Sequence, residues 1–273
     1  MAYRRILTIQ DISCVGQCSM TVALPVLSVC GHEVCILPSA VLSTHTGGFQ
    51  NPAVANLTGN MAAIREHWMR EGITFDFIYT GYLGSIEAIR EVETILDTLL
   101  APGGMVIVDP AMADHGKLYR GFDAPYAAAM KELCSRADLI LPNITEAAMF
   151  ADMDFHVQYD RDYIFQLLRQ QPGKQALMTG VGFAENETGF AIWNGCETQF
   201  YHHPRLEKNY HGTGDLFASA FVGALASGFE AFDAGKIASK FVLQSIRNTA
   251  DAPAHWYGVK FEPALAELIQ MLN

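Results

Sequence analysis

The chain has 273 residues, half of them hydrophobic, enough to bury a large core in one domain or at most two. Eighteen basic against 29 acidic side chains give a net charge of −11, which argues against polyanion binding and leaves any phosphate to be held by local geometry and metal. No run of about eighteen apolar residues is present, so no membrane span is expected, and the six cysteines lack a C-x-x-C pair and read as reduced, mostly buried thiols.

The opening "MAYRRILTIQDIS" carries two arginines but runs straight into a strand, without a small-residue cleavage site, so a cytoplasmic protein is expected. From there short β-rich runs alternate with segments of helical length. Strands are predicted at 4–10, 33–38, 75–81, 105–110, 138–143 and 175–180, and helices at 18–30, 53–70, 85–100, 123–136 and 160–171. Strand then helix, repeated, predicts an α/β fold with a mainly parallel central sheet covered on both faces. Residues 187–204 break the rhythm: "GFAIWN" and "TQFYHHP" flank a turn with Gly195 and predict a small antiparallel hairpin. Helices then follow at 214–228, 233–249 and 262–272. No repeat, low-complexity segment or linker divides residues 1–273, so a single domain is expected.

Ligands in open α/β sheets bind beyond the carboxyl ends of the strands. The residues there are Asp11, "STHTGG", "GYLGS", "DPAMADHGKLY", "NITEA", Thr179 with Gly180, and the "GTGD" loop at 212–215. Several of these stretches mix glycine with polar groups. Gly212 and Gly214 allow main-chain angles closed to other residues, and the helix behind them begins with unpaired N–H groups and positive partial charge. Such a start either accepts a plain Asp or Thr cap or cradles an anion. The helix itself, "LFASAFVGALASG", is apolar nearly all round, so a carboxylate at its head needs a partner or a task. The phosphate loop G-x-x-x-x-G-K-[ST] is absent, and so is a full G-x-G-x-x-G, which weakens an NAD-dependent oxidoreductase reading.

"GTGD" opening a buried helix near the C-terminus resembles the signature of the ribokinase superfamily. In order, "TIQD…VG", "LSTHTGG", "TGYLGS", "DPAMADHGKLY" and "LPNITEA" resemble the vitamin B6 kinases, the pyridoxal/pyridoxamine kinase family, over about residues 4 to 249. The resemblance implies a ribokinase-like three-layer fold and ATP-dependent phosphorylation of the 5′-hydroxymethyl group of pyridoxal, pyridoxamine or pyridoxine. It implies Asp215 as the base and the N–H groups of Gly212, Thr213 and Gly214 as the cradle for transferring charge. Asp11, Thr46, Gly47 and Tyr82 fall on substrate positions. Asp109, Asp114, Tyr119, Asn143, Glu146 and Thr179 fall on nucleotide positions, with Glu146 and Asp109 serving Mg²⁺ through water. Asn143 and Glu146 also suit a plain helix start, and Asp109 a strand-ending Asp-Pro turn.

Two departures stand out. Thr179 replaces a lysine of some relatives and brings no charge. Asp11 stands where many B6 kinases carry serine, and a carboxylate there favours a pyridinium N–H, a phenol or the amine of pyridoxamine. The expected partners are Mg²⁺ with ATP, a B6 vitamer, a second copy of the chain and, by the same resemblance, a monovalent cation; no nucleic acid or membrane is expected. Hydroxymethylpyrimidine kinase and a catalytically silent B6- or nucleotide-binding regulator are the alternatives. His45 receives no role, His202 and His203 lack metal-ligand spacing, and the tryptophans read as packing residues.

Overall fold

The computed structural model describes residues 3–206, 210–252 and 254–273. The chain forms two compact units, Met1–Met105 with Leu206–Asn273, and Val106–Arg205.

The first unit begins with β1 (Arg5–Ser13), α1 (Met20–Val29), β2 (Glu33–Leu42), β3 (Val54–Asn56), α2 (Thr58–Arg70), β4 (Phe75–Thr80) and α3 (Ile86–Leu99). Its strands lie in the order β4-β1-β2-β3, parallel except for β3. Ile6, Leu7 and Ile9 are fully buried, as a strand covered on both faces requires. Each such side chain contributes roughly 1.5–3 kcal/mol through burial. α3 shows how its residues choose a helix. Ser85 caps it by accepting the Ala88 N–H at 3.2 Å, and Ala88, Ile89, Val92, Ile95, Leu96 and Leu99 make one buried face at helical spacing.

Two boundaries differ from expectation. The helix expected over 53–70 opens with the edge strand β3, whose main chain pairs with β2 at Ala40↔Asn56 and Leu42↔Val54. The Asn56 side chain then accepts the Thr58 N–H at 2.8 Å and turns the chain into α2. The first strand does not stop at Gln10 but runs to Ser13 through a register irregularity: Gln10 pairs with Pro38 and Ile12 with Val41. Asp11 therefore lies inside the strand, opposite a bulge in β2, rather than beyond its end. Bulges re-aim side chains beside functional sites.

Next come β5 (Leu100–Val108), β6 (Ala113–Asp114), β7 (Lys117–Leu118), α4 (Ala124–Ser135), β8 (Leu139–Ile140), α5 (Ile144–Phe150), α6 (Arg161–Arg169), β9 (Gln175–Thr179), β10 (Glu187–Trp193) and β11 (Thr198–Pro204). In the second unit the order is β5-β8-β9-β10-β11. β5, β8 and β9 are parallel, and β10 and β11 form the expected antiparallel hairpin. The stretch "DPAMADHGKLY", expected as a loop, contains the short hairpin β6–β7. Its two turn residues, His115 and Gly116, both have positive φ (50° and 77°), the conformation a two-residue hairpin turn demands.

The chain returns to the first unit with α7 (Thr213–Ala226), α8 (Ala231–Thr249), a single 3₁₀ turn (Glu262–Ala264) and α9 (Leu265–Leu272). α7 is buried without interruption from Leu216 to Ala224 and packs on α8 and α1. Among the described residues no helix is long and apolar enough to cross a membrane. The cysteines are less buried than expected: Cys18, Cys30 and Cys134 are buried, Cys35 is intermediate, and Cys14 and Cys196 are exposed.

Candidate active site

In the first unit the carboxylates of Asp215 and Asp11 come together. Asp215 lies in the first turn of α7, but that helix has no side-chain cap: its N-cap is Gly212, in the left-handed region at φ 76°. The Asp215 carboxylate instead lies close enough to the main-chain N–H of Ser19 to feel its dipole. It stays half-buried, and burial pushes its titration up to about 7; the Ser19 N–H pulls it down and the Asp11 charge adds to the rise. A capping role for Asp215 or Thr213 is thereby excluded: Thr213 spends its hydroxyl on the Tyr210 carbonyl at 3.3 Å.

Asp11 is 3 % exposed. Its carboxylate accepts the hydroxyl of Ser13 at 2.8 Å, with the Ser19 hydroxyl nearby. Burial raises its titration, while these donors and the nearby His45 oppose the rise. The Tyr82 hydroxyl is raised by burial and by the Asp11 charge, and the buried Cys18 thiol by burial, Asp215 and Asp11. Asp11 thus stands electrostatically between Tyr82, His45, Cys18 and Asp215.

The two glycines of the GTGD loop differ in what they permit. A Cβ on Gly212 would meet the Gln17 carbonyl oxygen at 1.8 Å, so glycine there lets the loop press against residues 17–19. Gly214 has no positive φ, and a Cβ added to it would meet nothing within 4 Å; its use is open space around an exposed main chain, not conformational freedom. On the other side, Gly47 approaches His211 so closely that a Cβ would meet the ring at 2.7 Å. This brings "THTGG", with exposed Thr46, against the residue preceding the GTGD loop. His45 spends both ring nitrogens locally: Nε2 donates to the Tyr257 carbonyl at 2.8 Å, and Nδ1 accepts the Gly47 N–H at 3.1 Å. Phe49, Trp256 and Tyr257 complete an aromatic group beside it.

In the second unit Asn143 and Glu146 form a reciprocal capping box at the start of α5. Glu146 Oε2 accepts the Asn143 N–H at 2.9 Å, and Oε1 accepts the N–H groups of Met112 and Ala113 at 2.8 and 3.2 Å. Asn143 Nδ2 donates to the Ala113 carbonyl at 2.7 Å. Burial pushes the Glu146 carboxyl up to about 7, against the pull of these N–H groups. The N-x-x-E pair thus holds the hairpin that follows Asp109, and Thr145 adds to it by accepting the Gly116 N–H at 3.0 Å. Asp109 accepts the Ala111 N–H at 3.1 Å in the expected Asp-Pro turn. Asp114 is exposed beside His115, Tyr119 is exposed, and Thr179 is half-buried at the end of β9 with its N–H on the Pro142 carbonyl. Among the described residues no group of three or more His, Cys, Asp or Glu side chains could hold a metal alone.

Sequence reading missed Ser13, Ser19 and His211. Ser19, inside the helix expected over 18–30, is the N-cap position of α1 without a side-chain cap bond, and it lies beside both carboxylates. His202 packs among Phe183 and Phe200, 3.4 Å from Glu187, away from any metal-like group.

The pattern of the phosphomethylpyrimidine kinase family matches residues 39–259. A protein of Schizosaccharomyces pombe named a putative pyridoxal kinase is 28% identical over 228 residues, 79% of this chain and 66% of its own length, so the chain spans just under two thirds of that relative. The crystal structure of pyridoxal kinase from Lactobacillus plantarum matches with a TM-score of 0.90 at 31% identity, covering 99% of this chain and 98% of that one. A putative phosphomethylpyrimidine kinase from Bacteroides thetaiotaomicron, crystallised with pyridoxal, matches with a TM-score of 0.91 at 32% identity over 98% and 96% of the two chains. The fold is therefore the expected mostly parallel central sheet with helices and a small antiparallel hairpin, and the chain belongs to the phosphomethylpyrimidine kinase family of ribokinase-like kinases, with strong structural matches to pyridoxal kinases.

Proposed function

We propose that residues 1–273 act as one kinase domain that transfers the γ-phosphoryl group of ATP to the 5′-hydroxymethyl group of a B6 vitamer, with Asp215 as the base. The observation that carries this reading is the Asp215 carboxylate itself. It leaves its own helix uncapped, remains open in part to solvent, and titrates near 7, where a base works best at neutral pH. Asp215 accepts the proton of the primary hydroxyl as that oxygen bonds to the γ-phosphorus. The bond from that phosphorus to the bridging oxygen breaks, and ADP leaves with the electron pair. The N–H groups of Gly212, Thr213 and Gly214, at the positive end of α7, would hold the phosphoryl oxygens. Open space around Gly214 supports that approach.

Tyr82, Thr46, Gly47 and Asp11 would hold the vitamer, Tyr82 with its ring and Asp11 with its charge. Asp109, Asp114, Tyr119, Asn143, Glu146 and Thr179 would serve MgATP. Asp109 would reach the metal through water, and Glu146 would act there mainly by fixing the 112–113 main chain, since both its oxygens already accept N–H groups.

The second reading, hydroxymethylpyrimidine as acceptor, is favoured by the family match over residues 39–259. Among the pyridine vitamers, the buried Asp11 carboxylate, whose charge reaches Tyr82, supports pyridoxamine above all. Purified protein with MgATP is to be offered pyridoxal, pyridoxine, pyridoxamine and hydroxymethylpyrimidine. We expect kcat/KM to be highest for pyridoxamine, and Asp11→Ser to reduce its advantage over pyridoxal about tenfold. Highest kcat/KM on hydroxymethylpyrimidine would replace this reading with the second. An unchanged vitamer preference in Asp11→Ser would remove the role given to Asp11.

A further inference from the structure

The four residues that follow Thr179 have already spent their main-chain N–H groups. Gly180 and Val181 donate to the Gly189 carbonyl at 2.9 and 3.2 Å, Gly182 to the Tyr159 hydroxyl at 3.3 Å, and Phe183 to Glu187 Oε1 at 3.1 Å. The Tyr159 hydroxyl also donates to the Gly180 carbonyl at 3.3 Å. One phenol oxygen thus clasps both sides of the turn that Gly180 makes at φ 79°. Burial pushes this phenol up from its ordinary value, so it keeps the proton it donates. Gly182 is held from the other side as well, since a Cβ there would run into the Glu187 carbonyl.

The clasp stands at the carboxyl end of the second unit's parallel strands, the end where α/β sheets take ligands. The Thr179 N–H goes to the Pro142 carbonyl at 3.0 Å, and Thr179 forms a parallel bridge with Asn143. The 180–182 turn therefore continues directly from the strand end that adjoins the N-x-x-E pair. A loop with every N–H taken cannot cradle phosphate oxygens, but it can supply a wall of fixed shape. Tyr159 reaches it from the segment before α6, 21 positions upstream of Gly180. Its neighbour Tyr163 spends its own hydroxyl on the Asp154 carbonyl at 2.8 Å, within that same segment.

We propose that Tyr159 is a positioning residue for the nucleotide: its hydroxyl fixes the 180–182 turn, so that Thr179 and the turn form a rigid wall against MgATP. This rests on the reading that the second unit's residues serve MgATP. A loop ordered in advance lowers the cost of binding, so the effect falls on nucleotide affinity and not on the chemical step.

The test compares the full-length wild type with Tyr159→Phe, which deletes only the hydroxyl, and with Tyr163→Phe, which deletes a similar bond away from the turn. In Tyr159→Phe, KM for MgATP is expected to rise about fivefold, with kcat and the KM for pyridoxamine close to wild type. The Tm rise produced by a fixed MgATP concentration should shrink. Amide hydrogen exchange without ligands should quicken about fivefold at Gly182. Tyr163→Phe should leave both KM values and the Gly182 exchange unchanged. Unchanged Gly182 exchange in Tyr159→Phe would refute the clasp. Faster exchange with a wild-type KM for MgATP would overturn the proposal, because the hydroxyl would then be a local tie and nothing more. An equal rise in the MgATP KM of Tyr163→Phe would overturn it too, as general loosening of the segment. The wild-type Tm separates the two ways of failing. If MgATP does not raise it, the nucleotide reading falls and takes this role with it; if MgATP does, an unchanged KM in Tyr159→Phe condemns the role of Tyr159 alone.

Discussion

Asp215 concentrates opposing effects on one side chain. Burial favours its neutral form, Asp11 favours it further, and the Ser19 N–H favours the charged form. The balance near 7 gives two signed consequences. The acidic limb of kcat/KM should have a midpoint near 7, with activity rising as Asp215 ionises. For stability the sign is reversed. The folded state holds this proton more tightly than the unfolded chain, so the group's contribution is complete below an ordinary aspartate midpoint and is lost as pH rises toward 7. Asp215→Asn should therefore lose on the order of a thousandfold in turnover, while its Tm advantage over wild type grows between about pH 5 and pH 8. Turnover within tenfold of wild type, or a Tm difference that does not grow with pH, would count against the assignment; rate profiles and thermal scans at the two pH values decide both.

At the scale of the element, α7 and the loop before it explain why two neighbouring glycines behave differently. Gly212 combines a positive φ with a backbone oxygen where a Cβ would go, whereas Gly214 has neither. We expect Gly212→Ala to lower stability by about 2 kcal/mol or more, through strain and a displaced 17–19 turn. Gly214→Ala should leave Tm within about 1–2 °C, because a helical position accepts alanine, yet reduce kcat by crowding the cradle. Equal Tm losses in thermal melts would contradict this division. α5 shows the companion principle. Its capping box is legible as N-x-x-E, but the same glutamate also carries the 112–113 main chain, a long-range job that helix-start chemistry cannot announce.

At the scale of the molecule, a net charge of −11 offers no basic field, so the proposed function requires phosphates to be held by aimed N–H groups and metal-borne charge. MgATP at a hundred times its Kd should stabilise the protein by about 2.7 kcal/mol, a Tm rise of roughly 5–10 °C. Asp215→Asn should keep that rise, because its side chain is assigned to the acceptor's proton and not to nucleotide affinity. Differential scanning with and without MgATP, in both proteins, measures it; no rise in wild type would argue against nucleotide use.

The alternation of strands and helices, the closing hairpin, the buried α7 and the order of the motifs are legible because each depends on short-range periodicity and turn chemistry, as in the apolar face of α3 or the glycine pair at 212 and 214. What escapes depends on partners far along the chain. β3 hides in a helical stretch because its hydrogen bonds lie on β2. Asp11 reads as lying beyond β1 because a bulge in the neighbouring strand cannot be seen in its own residues. Ser19 falls inside the helix expected over 18–30 because the start of α1 at Met20 is set by the turn before it and not by its own residues. By itself, the sequence determined the fold class, the family resemblance and the candidate carboxylates. Only the tertiary structure decided which N–H and hydroxyl groups those carboxylates accept, since a buried charge takes whatever donors folding brings within reach, and those donors are set by packing between segments distant in sequence.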